Sequence, residues 1–151
     1  MDRICNLYID KMHLSVTLFE YIKKEVEKGT KIIVVSQDDI RKDIKSIRKG
    51  FKNRKVCSKI DYLNEIDREA LQKLNNISII IQGDAEFVAK TERLFSEEIT
   101  NEETKLNIVS CYNITENINV EKVVDKYDKI LSTSGIENIS EKRESTTNNK
   151  V

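Results

Sequence analysis

The sequence predicts an α/β domain, a three-layer sandwich in which a mainly parallel sheet carries helices on both faces. Three observations carry this expectation. The runs KIIVVS (residues 31–36), ISIII (77–81) and LNIVSCY (106–112) are largely apolar without alternation and rich in β-branched residues, the pattern of strands buried on both sides. The segments between them repeat apolar residues at helical spacing. Strand and helix alternate along the chain, and such crossovers place successive strands parallel.

Each element has its own signal. Residues 3–9 (RICNLYI) are short and rich in strand formers, so they predict a first strand. A helix over residues 14–28 carries Leu14, Leu18, Ile22 and Val26 on one face, widened by Phe19 and Tyr21, and Gly29 stands where a terminating glycine belongs. After KIIVVS, Asp38 or Asp39 is placed to cap a helix with Ile40, Ile44 and Ile47 on one side and Gly50 near its end. Residues 51–60 are ambiguous, with 55–57 as a candidate short strand, and Asn64 or Asp67 is placed to cap a short helix through Leu74. Beyond ISIII, Asp84 starts a helix carrying Phe87, Val88, Thr91, Leu94 and Phe95. LNIVSCY precedes a helix over residues 120–127 and a short edge strand at 130–131. One domain is expected over residues 1–136, followed by a polar, aperiodic tail at 137–151 that reads as disordered.

Composition narrows the function classes. A chain of 151 residues with 38% apolar content can bury a core without disulfides or structural metals. Its 26 basic and 26 acidic residues are interspersed, so the basic face of a nucleic-acid binder is not expected. The exception, residues 41–59, is rich in Lys and Arg and reads as a solvated helix face and loop, or else as an anion site. Cys5, Cys57 and Cys111 have neither CxxC nor zinc spacing, which points to a reducing compartment. No apolar run has the length of a signal peptide or a membrane span, so a cytoplasmic protein is expected.

Motifs for chemistry fail one after another. Gly29, Gly50, Gly83 and Gly135 are isolated, so neither a phosphate loop nor a dinucleotide fingerprint exists. His13 has no partner at ligand spacing, and Asp84 with Glu86 fits a helix N-terminus as well as an acid/base pair. Cys111 lies in a strand without a companion histidine, and no GxSxG occurs. No catalytic set, metal set or cofactor is expected. Ligands of parallel sheets sit beyond the carboxyl ends of the strands, which singles out Ser36, Gln37 and Asp38, then Gln82, Gly83, Asp84 and Glu86, then Tyr112, Asn113 and Thr115.

Two segments carry a resemblance to a known family. RICNLYIDKMHLSVTLFEYIKKEVEKGTKIIVVSQDD resembles the opening of MEDS domains, the DcmR-type sensory domains of methanogens and methylotrophs. IIIQGDAEFVAKTERLF and LNIVSCYNITENINVEKVVDKYDKIL are similar to that family's closing half, so the resemblance spans residues 3–133 with a weak stretch at 41–75. It implies a RecA/KaiC-like fold without the phosphate loop, and a regulatory role in sensing a small molecule. Arg3 stands where the family usually has His, and these residues contain no recognisable kinase or DNA-binding segment. The expectation is therefore a ligand-sensing domain acting through a protein partner, a signalling kinase or transcription regulator, or as a homodimer. Its pocket would draw on Arg3, Cys5 and Tyr8, on Gln82, Gly83 and Asp84, and on Cys111 and Tyr112. The alternatives are an interaction adaptor without a ligand and a degenerate nucleotide-binding protein.

Overall fold

The computed structural model describes residues 1–47, 55–62, 69, 71, 73–99, 103–116 and 118–139. Chain order is β1 (Asp2–Tyr8), α1 (Lys11–Glu27), β2 (Lys31–Ser36), α2 (Arg41–Ser46), β3 (Ile60–Tyr62), β4 (Asn76–Gln82), α3 (Ala85–Glu98), β5 (Lys105–Asn113), α4 (Val120–Val124), β6 (Lys129–Ser132) and β7 (Gly135–Asn138). The strands form one seven-stranded sheet in the order β3-β2-β4-β5-β1-β6-β7. All pairings are parallel except the β6–β7 hairpin. The expected three-layer α/β sandwich is thus observed.

Side-chain alternation divides the sheet into two apolar layers. On one face Ile4, Tyr8, Ile32, Val34, Ile80, Val109 and Cys111 pack with Leu14, Leu18 and Ile22 of α1 and Ile44 of α2. On the other, Cys5, Ile33, Ile77, Ile79, Ile81, Ile108 and Tyr112 pack with Val88 and Phe95 of α3, joined by Val123 and Val124 of α4. The unbroken isoleucines of β4 serve both layers, which is why that strand shows no polar alternation in sequence.

The helix ends follow from local chemistry. Asp10 caps α1 by accepting the His13 N–H at 2.7 Å. At the far end Gly29 adopts φ +83, and the paired bonds Gly29 N to Val26 O (3.0 Å) and Thr30 N to Glu25 O (3.0 Å) close a Schellman turn. Asp84 caps α3 through the Phe87 N–H at 2.8 Å, as expected.

Several boundaries differ from the sequence reading. Residues 55–57 form a helical turn, and the strand comes three residues later at β3, where Ile60, Asp61 and Tyr62 pair with β2. Helix α2 has Ile40 at its cap without a side-chain bond; of the two expected capping residues, Asp38 is drawn to Gln82 on the neighbouring strand, while Asp39 accepts the N–H of Arg41, the first residue of the helix, at 3.2 Å. Helix α4 stops at Val124, so Tyr127 lies beyond it. Strand β6 is internal, since the turn at Thr133–Ser134, closed by Gly135 at φ +116, brings β7 back against it. Glu137 and Asn138 therefore belong to the sheet and Ile139 is buried, so the expected tail begins later than residue 137. Gly50 and the expected helix caps Asn64 and Asp67 lie outside the described residues.

Among the described residues no helix is long and apolar enough to cross a membrane. Ile80 is fully buried between β2, β5 and α1. Ile80→Ala is expected to lower the unfolding free energy by about 2–5 kcal/mol in urea denaturation, and a change under about 1 kcal/mol would contradict this packing.

Candidate functional site

The eight residues expected to share one pocket are separated by the pleat. Odd positions of β1 face α3 and even positions face α1, so Cys5 lies in one layer and Tyr8 in the other. Arg3, near the amino end of β1, also faces α3. In β5 the neighbours Cys111 and Tyr112 fall on opposite faces for the same reason. Tyr8 and Gln82 come into direct contact, the Gln82 Nε2 donating to the Tyr8 hydroxyl at 3.1 Å, and Cys111, the register partner of Gln82, packs in the same layer as Tyr8. Cys111 is fully buried and its thiol is pushed well above the ordinary range by burial, which suits a small core residue rather than a nucleophile.

The carboxyl edge of the sheet is closed by its own side chains. Gln82 Nε2 also donates to Asp38 Oδ2 at 2.8 Å, while its Oε1 accepts the Asp38 N–H at 3.0 Å. Gln37 and Asp84 pair reciprocally, Gln37 Nε2 to Asp84 Oδ2 at 3.1 Å and Asp84 N–H to Gln37 Oε1 at 2.8 Å. Hydrogen bonds from the Phe87 N–H and from Gln37 hold the Asp84 carboxyl below its usual range. Gly83 lies between these groups, and a Cβ there would stand 2.5 Å from Phe87 Cδ1 and 2.9 Å from Gln37 Oε1. The N-termini of α1 and α3, where parallel folds receive phosphates, are occupied by the carboxylates of Asp10 and Asp84.

A second polar cluster is buried between β1, β5, α3 and the segment after α4. Glu92 on α3 accepts from Arg3 (2.6 Å), from the Ser110 hydroxyl (2.6 Å) and from the Tyr127 hydroxyl. Tyr127 in turn bonds the Tyr112 hydroxyl at 2.5 Å, and the Arg3 guanidinium lies 5.2 Å from the Tyr127 ring centre. Burial opposes the charge on Arg3, but the bond to Glu92 and its negative charge prevail, so its pKa is raised. This joins two of the expected residues, Arg3 and Tyr112, as a structural clamp. Glu92 was missed, although Val88–Glu92–Phe95 spacing places it on the buried stripe of α3 in place of the expected Leu94, which is exposed.

A cleft opens at the opposite, amino edge of the sheet. It encloses about 360 Å³ and is walled by the C-terminal turn of α1 and the first residues of β1, β4, β5 and β6. Its polar lining comprises Asp2, Glu25, Lys28, Thr30, Asn76, Lys105, Asn107 and Lys129, over Ile4, Ile77 and Ile136. A smaller cavity of about 130 Å³ adjoins it, sharing Glu25, Lys28 and Ile136. Lys129 is paired to Asp2 at 2.9 Å, and the buried Glu25 accepts the Thr30 hydroxyl at 2.9 Å. The sequence signal for this cleft is a lysine opening β5 and β6, at a sheet edge where ligands are not ordinarily sought. Among the described residues no group of three or more His, Cys, Asp or Glu is placed to hold a metal.

Two outcomes follow. Glu92→Ala leaves Arg3, Ser110 and Tyr127 without their acceptor and is expected to lower the unfolding free energy by about 2–3 kcal/mol, with Glu92→Gln milder because it keeps one acceptor oxygen. Burial pushes the Tyr112 hydroxyl up to about 12 and raises Tyr8, Tyr21 and Tyr127 from their ordinary value of 10.0. Raised folded-state values mean that the unfolded chain releases these protons first. The tyrosine contribution to stability is therefore full below about pH 10 and is lost as pH rises toward 12 and beyond. Urea midpoints followed across that window should fall, and Tyr112→Phe should flatten the fall. A profile without alkaline slope would contradict it.

Comparison with known proteins brings no match from family models, from curated proteins or from solved structures, which leaves the geometry above to carry the functional reading.

Proposed function

We propose that the chain is a ligand-binding regulatory domain, with the amino-edge cleft as its ligand site and a partner protein as the reader of occupancy. The observation that carries this reading is the cleft itself: about 360 Å³, lined by polar side chains converging from α1 and four strands. Volumes of roughly 300–1,000 Å³ are those of small-molecule sites. The carboxyl edge, by contrast, has its Gln37, Asp38, Gln82 and Asp84 side chains engaged with one another. A ligand there would have to displace those bonds. The resemblance of the chain's two ends to MEDS sensory domains supports the same reading and is part of the proposal.

A surface for the partner is supported by apolar side chains around the carboxyl end of β1. Ile9, Met12, Val16 and Ile114 are exposed there, with Met12 and Val16 one helical turn apart. The Ile114 N–H bonds Tyr8 O at 2.9 Å, which sets it beside Ile9. The nucleotide-binding alternative fits less well, because Asp10 and Asp84 place negative charge where a phosphate would dock.

Thermal denaturation against a panel of small polar metabolites tests the reading. A compound present at 100 times its dissociation constant should add about 2.7 kcal/mol to stability and raise the midpoint accordingly. No shift from any member, together with unmoved amide resonances for Thr30, Asn76 and Asn107, would remove it.

A further inference from the structure

We infer that the amino-edge cleft selects a small organic anion, whose carboxylate or phosphate group is held by Lys105 and Lys28. This rests on the binding reading above and adds the ligand's charge and its anchor. The cleft places three lysines, Lys28, Lys105 and Lys129, against two carboxylates, Asp2 and Glu25. Their pairing leaves the excess positive charge in one place. Lys129 is held by Asp2 at 2.9 Å, and Glu25 is shared between the Thr30 hydroxyl at 2.9 Å and a long 3.5 Å contact to Lys28, whose side chain is 69% exposed. Lys105 has no acidic partner among the described residues.

Sheet register arranges donors around that charge. Asn76 of β4 pairs with Lys105 of β5, and Asn107, two residues along β5 and so on the same face, pairs with Asp2 of β1. Carboxamide and ammonium groups are able to donate to an oxyanion, whereas the Thr30 hydroxyl proton is already given to Glu25. Ile4, Ile77 and Ile136 line the same cleft and suit the carbon body of an organic ion. The geometry thus distinguishes an anion from a neutral or cationic ligand: one ammonium without an acidic partner among the described residues, two amides beside it, and acidic side chains already engaged by Lys129, Thr30 and Lys28.

The test is an amide-resonance titration of the whole chain with malonate, inorganic phosphate and glycerol. Malonate, phosphate or both should move Thr30, Asn76, Lys105 and Asn107 saturably, and the response should weaken with added sodium chloride. Which of the two binds tells carboxylate from phosphate. Lys105→Gln should weaken the responding anion roughly tenfold or more, since it removes a charged hydrogen bond, while Lys105→Arg retains most of the affinity. Thermal midpoints of both variants should match the parent. Should Lys105→Gln fail to fold, the Lys105→Arg titration and the parent's salt dependence decide. Anions that leave these amides still, or that bind Lys105→Gln as tightly as the parent, overturn the inference. If glycerol or other neutral compounds move the same amides while anions do not, the charge assignment falls and the binding reading stands. If nothing moves them, both fall.

Discussion

Burial of the sheet on both faces is the constraint from which the rest follows. A strand covered on one side only can gather its polar groups on the other. Here Ile4, Cys5 and Tyr8 of β1 are all buried although they point in alternate directions. Polar chemistry is left three places to gather: the two edges of the sheet, and positions where a helix supplies a matched partner for a buried charge. Each place is used. The carboxyl edge is knitted by glutamines and aspartates, Glu92 meets Arg3 beneath α3, and lysines collect at the amino edge.

How much of this was legible depends on whether the signal was local. Strands β2, β4 and β5 could be read to within a residue, because unbroken β-branched runs admit few other conformations. Asp84 and Gly29 were legible too, since capping acts within one turn of the helix. β7 was not. Its residues, Gly135–Asn138, are few and include a single apolar side chain, Ile136, and they become a strand only because β6 offers an edge. The site was less legible still. Grouping Arg3 with Tyr8, or Cys111 with Tyr112, follows chain proximity, whereas the pleat sends the members of each pair to different layers. The lysine cleft brings together Lys28, Lys105 and Lys129 through strand register, which a single sequence does not display.

The Glu92 clamp also separates stability from binding. A buried carboxylate with three donors resembles a catalytic acid when seen alone. Yet all three donors belong to the protein's own framework, and together they tie β1, β5 and the Tyr127 segment to α3. Burial of an ion pair is weak evidence for net stability, but loss of one partner is severe. Such a cluster specifies which helix packs where. By contrast, the amino-edge groups are partly exposed, and Lys105 has no acidic partner among the described residues, the condition in which a visiting molecule gains most from direct contact.

β1 is synthesised before the other strands of its sheet and is among the last to be enclosed. Its partners in register, Asn107 for Asp2 and Lys129 for Ile4, leave the ribosome more than a hundred residues later. At roughly 5–20 residues per second, a nascent chain carries the unpaired edges of β1 for about 5–25 s. Throughout that interval its backbone is open to any passing strand, and long-range parallel pairing is slow in its own right. The internal place of β1 therefore makes its late enclosure a step at which the emerging polypeptide is open to mispairing.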